Sequence, residues 1–112
     1  MTDRENILSK ESRQAVEEMI KITEELEARV EIESNAVATN DGTVFTTNEM
    51  NKEFVADLYE KAAAEFRARL DEFHQVDKVL LQKLEAAQAS LGQSTKNNLA
   101  LLAKLQDEGK PE

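Results

Sequence analysis

Apolar residues recur through the first third of the chain at the spacing of one helix face. Ala15, Met19, Ile22, Leu26, Val30 and Val37 form a stripe, which Val16 and Ile20 widen. After Leu26 a strict heptad would use position 29, which is Arg29; Val30 takes its place. That extra residue is a stutter-like drift that relaxes supercoiling locally. Ile32 falls off the stripe. The pattern predicts a helix over about residues 9–39, with the Ser9 hydroxyl as its cap. Thr2 with Glu5 offers an earlier capping box.

The periodicity stops at Thr39–Thr43, "TNDGT", where Asn, Asp and Gly all tolerate positive φ. A start signal follows: Thr46 and Glu49 have capping-box spacing, with Phe45 and Met50 at the hydrophobic-staple positions. This predicts a loop over 40–45 and an antiparallel second helix from 46. From Tyr59 the apolar positions alternate by four and three: Ala63, Phe66, Leu70, Phe73, Asp77, Leu80, Leu84, Ala87, Leu91, Ser94, Asn98, Leu101 and Leu105. That is the a/d spacing of a coiled-coil seam. A single helix over those forty-seven residues would be roughly 70 Å long.

Asp77 separates two architectures. As a seam residue it is a polar break in one long helix; as an N-cap it starts a third helix at Lys78. The absence of Gly, Pro and Asn from Lys61 to Ser90 favours continuity. A three-helix bundle with a tight turn near Asp71–Asp77 stays open. Either way the class is all-α: one elongated antiparallel helical hairpin or bundle with coiled-coil character. Its helical region would cover about 46–107, and a tail over 108–112 would fray at Gly109 and Pro111.

Charge narrows the functional classes. The net charge is −9, and the first fifty residues hold 12 acidic and 5 basic side chains. No basic patch exists to meet phosphates, so nucleic acid is disfavoured, as is an anionic membrane surface. The longest apolar run, Leu99–Ala103, is far below the roughly 20 residues that span a bilayer. "MTDRENILSKES" shows no apolar signal-peptide region, and cysteine is absent, which excludes disulfides and is compatible with the cytoplasm. The acids of the first helix, Glu17, Glu18, Glu24, Glu25, Glu27, Glu31 and Glu33, read first as a solvated outer face and second as a docking face for a basic partner.

No catalytic constellation is present. His74 is the only histidine. Asp71, His74 and Asp77 would share a helix face, but one histidine cannot supply the paired Glu-x-x-His motifs of a di-iron bundle. No base remains for a serine, and the three glycines form no phosphate loop. No enzyme activity, metal or cofactor is expected. Tyr59, Phe66 and Phe73 read as core at seven-residue spacing.

The C-terminal third is unusual. Ala86–Ala103 carries a single charge, Lys96, in a chain that is 33% charged. Gly92 weakens a helix interior by about 1 kcal/mol relative to Ala, and Asn98 on the seam lowers stability while restricting pairing. Leu99 and Leu102 widen the stripe of Leu101 and Leu105. Such a segment suits an amphipathic surface for a partner helix, or equally self-pairing in a homodimer or bundle core.

The layout resembles the FlgN-type flagellar export chaperones over about residues 10–105. Glu33, Val37 and Asp41 in "EIESNAVATND" match a glutamate, an apolar residue and an aspartate at the end of that family's first helix. Lys52, Tyr59 and Glu60 in "NKEFVADLYEKA", and Asn98 and Leu102 in "NNLALL", follow in the family's order. Two departures stand: "GTVFTTNEM" is threonine-rich, and the turn residues that often divide the second and third helices are missing. The resemblance implies a non-enzymatic cytoplasmic protein. It would bind flagellar hook-associated (hook–filament junction) proteins, prevent their early aggregation or assembly, and deliver them to export-gate components. It places client binding on the C-terminal helical region, here Leu91, Asn98, Leu99, Leu101, Leu102 and Leu105. The alternative is a structural coiled-coil adaptor or homodimer with no export role.

Overall fold

The computed structural model describes residues 6–109. The Thr2–Glu5 capping box and tail residues 110–112 lie outside them. Three long helices form the chain: α1 (Ser12–Ala38), α2 (Gly42–Ala68) and α3 (Lys78–Gly109), with a 3-10 segment at Leu70–Gln75 between α2 and α3. No strand occurs among the described residues. The all-α helical bundle expected from periodicity is the fold formed, in its three-helix version.

The third helix starts at Lys78 behind Asp77, as the N-cap alternative had it, whereas the starts of α1 and α2 differ from the sequence expectation for local reasons. Ser9 does not cap α1. Glu11 does, its carboxylate accepting the Gln14 N–H at 2.9 Å. Residues 7–10 are held elsewhere: the Ile7 and Leu8 N–H groups donate to the Glu65 carboxylate at 2.6 and 2.9 Å, and Leu8 is buried. These contacts hold residues 7 and 8 against α2 as a non-helical lead-in to α1.

The second helix begins at Gly42, four residues before Thr46. Asn40, at φ 58°, lets the Asp41 N–H reach Ala36 O (2.8 Å) and the Asn40 N–H reach Val37 O (3.2 Å). This is the Schellman closure of a helix end. The same Asp41 then caps α2, accepting the Val44 N–H at 3.1 Å. One aspartate thus ends one helix and starts the next, and the capping box at Thr46 is absorbed into the helix interior.

The seam from Tyr59 breaks after Ala68 despite the lack of Gly, Pro or Asn. Asp77 is the reason on one side: its carboxylate accepts the Val79 N–H at 2.9 Å and its carbonyl the Leu81 N–H at 3.1 Å. Burial is the reason on the other. Folding back lets Phe73, Val76, Leu80 and Leu84 join Leu8, Ala15, Val16, Met19 and Ala62 in one core. Each large side chain so buried contributes about 1.5–3 kcal/mol, more than the few helical hydrogen bonds given up.

Arg69 fixes this corner. Its guanidinium donates to Ser9 O (2.8 Å), Lys10 O (3.0 Å) and Glu72 (3.1 Å), and lies 5.3 Å from the Phe73 ring centre. Phe73 stacks on Phe66 at 4.3 Å. A lysine has neither the fork nor the planar face for these contacts. Arg69→Lys is therefore expected to lose about 1–3 kcal/mol in urea denaturation, close to the loss from Arg69→Ala.

α1 lies at the centre. α2 runs antiparallel to it and α3 parallel, and both pack along it with little contact between themselves. The result is a flattened molecule of 56 × 32 × 20 Å.

Candidate functional site

The two ends of the bundle differ in chemistry. The apolar core gathers at the proximal end, around the start of α1, the end of α2 and the start of α3. The distal end is built from the last turns of α1, the first half of α2 and the last half of α3. There the interior is partly polar: Glu33, Asn48 and Asn98 are buried beside Val30, Ala36 and Val55.

Glu33 overturns part of the sequence expectation. It does not stand on a solvated outer face but is buried and paired with Lys52 of α2. Lys52 also lies 3.8 Å from Glu49. Asn48 donates to Arg29 O at 3.0 Å. Glu27 also turns inward, accepting the Ser90 and Ser94 hydroxyls at 2.6 and 2.9 Å. Glu17, Glu24, Glu25 and Glu31 are exposed, and Glu18 is half-buried.

The six expected partner-binding residues divide into three groups by burial. Leu91 and Asn98 are buried within the protein, and Asn98 donates to Ser34 Oγ at 2.9 Å. Leu101 and Leu102 are half-buried. Leu99 and Leu105 are 61% and 50% exposed. Leu102 and Leu105 border an apolar pocket of about 180 Å³ with Ala36, Val37, Asp41 and Phe45. Leu101 and Leu105 share a second pocket, of mixed polar and apolar lining and about 260 Å³, with Val37, Ala38 and Lys104. The C-terminal stripe is thus packed on α1 along one edge and open along the other.

Glu33, Val37, Asp41, Lys52, Asn98 and Leu102 converge here. Glu33 meets Lys52, Val37 and Asp41 share a pocket with Leu102, and Asn98 binds the neighbour of Glu33. Tyr59 and Glu60 lie apart, on a cleft of about 420 Å³ between α2 and α3 floored by Met19. Tyr59 and Phe66 are half-buried at this cleft, whereas Phe73 is core.

Asp71, His74 and Asp77 do not all share a helix face. Asp71 and His74 lie three apart within the 3-10 segment, but extended Val76 separates them from Asp77, which serves as the cap of α3. Among the described residues, no group of three or more His, Asp or Glu side chains gathers to hold a metal ion. No described helix is long and apolar enough to cross a membrane.

One surface was missed by the sequence reasoning. Met50 and Phe54, one turn apart on α2, are 80% and 71% exposed. Their offset from buried Val55 and Ala62 was the available signal; assigning Met50 to a staple concealed it. Searches against family models, curated proteins and solved structures returned no match to this chain.

Proposed function

We propose that this chain is a cytoplasmic, non-enzymatic export chaperone of the FlgN type. It would hold an amphipathic terminal helix of a flagellar hook-associated protein on the distal face of α3 until delivery to the export gate. The observation that carries the proposal is the open apolar edge at and just beyond the end of the charge-poor segment: exposed Leu99 and Leu105 beside the half-buried Leu102 and the small pocket under it. Such an edge fits the anchors of a partner helix at i, i+3, i+4 spacing. The excess of acid elsewhere keeps free and loaded forms soluble. The resemblance supplies the identity of the client.

The test is fluorescence anisotropy with labelled terminal segments of hook–filament junction proteins. Binding at micromolar concentration is expected. Leu99→Asp with Leu105→Asp should weaken it at least tenfold, a loss of about 1.4 kcal/mol, and leave most of the helical circular dichroism in place, because Leu99 is 61% and Leu105 50% exposed. No association with any junction segment would overturn the proposal.

A second reading is favoured by Met50 and Phe54. Large apolar side chains adjacent on an outer helix face suit a homodimeric adaptor in which α2 meets its copy. It predicts a dimer mass by sedimentation equilibrium, a melting temperature that rises with concentration, and a monomer for Phe54→Asp.

A further inference from the structure

α3 is seated on α1 by two different chemistries that change over the helical turn at residues 90–94. Before that turn the contact is apolar, with Leu80 and Leu84 buried; within it Leu91 is the last buried leucine, beside the first hydrogen bond to α1, from the Ser90 hydroxyl to Glu27 at 2.6 Å. Beyond Leu91 the next seam positions are Ser94 and Asn98. They meet α1 through polar contacts to Glu27, Glu31 and Ser34, at 2.9, 3.4 and 2.9 Å. Leu101 and Leu102 bury only partly after that, and Leu105 is half exposed. Gly92 stands at the changeover. It lies inside the helix, and a Cβ built there would meet nothing within 4 Å. No close approach or positive φ therefore requires glycine at this position. Its remaining effect is to make the helix easier to bend or unwind there.

We propose that residues 92–109 form an arm that swings off α1 as a helical unit, hinged at Gly92. Hydrogen bonds between hydroxyls, amides and carboxylates are readily exchanged for water, so opening loses little at the Ser94 and Asn98 contacts. The three buried leucines before the hinge hold the first half of α3 in place. Opening uncovers Val37 and Ala36 on α1 and frees Leu101, Leu102 and Leu105 together. The inference rests on α3 and α1 alone and is independent of any client's identity.

Because the sequence contains no cysteine, spin labels can be placed at will in the full chain. One pair at Asn35 and Ala103 reports the arm; a second at Glu17 and Glu85 reports the half before the hinge. All four positions are exposed. Pulsed electron double resonance is expected to give two distances for the distal pair and one for the proximal pair. Gly92→Ala should reduce the open fraction about fivefold, the equivalent of the roughly 1 kcal/mol propensity difference. Asn98→Leu, which replaces a polar seam position by an apolar one, should reduce it in the same direction. Amides of residues 96–106 should stay protected from hydrogen exchange in both wild type and variants. A single distal distance in the wild type, an open fraction unmoved by both variants, or exchange of those amides at unstructured rates would each overturn the hinged arm.

Discussion

Phe73→Ala is expected to lower stability by about 3–5 kcal/mol, the range for truncating a buried aromatic. Phe73 is 3% exposed, stacks on Phe66, and carries the Arg69 guanidinium that ties residues 9 and 10 to the corner. Its loss leaves a cavity where the N-terminal segment, α2 and α3 converge. For a domain stable by about 5–15 kcal/mol, that is a large share. Urea denaturation followed at 222 nm measures it. Leu70→Ala is the matched control: Leu70 is 51% exposed, and the expected loss is below about 1 kcal/mol. Equal effects of the two substitutions would mean that the chain does not turn at residues 70–77.

The second large effect concerns the distal interior. Lys52→Met removes the cation from Glu33, whose side chain is 3% exposed, and leaves an unpaired buried carboxylate. A loss of about 3–5 kcal/mol is expected. Glu33→Leu combined with Lys52→Met should recover most of it, because an apolar pair avoids the desolvation of both charges. If the double variant is no more stable than the single one, the pair holds the two helices in a way that apolar contact cannot replace. A double-mutant cycle on the four proteins gives the coupling directly.

The class of the fold was legible in the sequence because burial here follows helical periodicity. Ala15, Val16 and Met19 lie on the expected stripe and are fully buried. The boundaries were less so, because two competing caps lie within six residues. Asp41 prevails over Thr46 since it also closes α1 through Asn40, a gain visible only once both helices are placed. The turn before α3 was obscured for a different reason. The four–three spacing runs unbroken through Asp77, so a folded-back chain and a continuous one read alike. Only the joint burial of Phe73 and Val76 with Leu8 distinguishes them. Of the candidate site, Leu99 was legible from the lack of charge around it and Leu105 from its place on the four–three seam, and both are exposed. Leu91 and Asn98, on the same seam, proved to face α1, because a parallel neighbour covers one edge of α3 from Leu80 to Asn98. Glu33 was concealed by its surroundings: seven glutamates in one helix look alike until Lys52 singles one out.

The claim that the distal edge of α3 is the docking surface is tested most directly by an amide-resolved NMR titration. The isotope-labelled chain is titrated with an unlabelled terminal-helix peptide of a junction protein. Shifts confined to residues 98–107 and to the facing pocket residues Ala36, Val37 and Phe45 are the expected result. Shifts centred on Met50 and Phe54 with the distal end unmoved would contradict it, as would no shift at any residue.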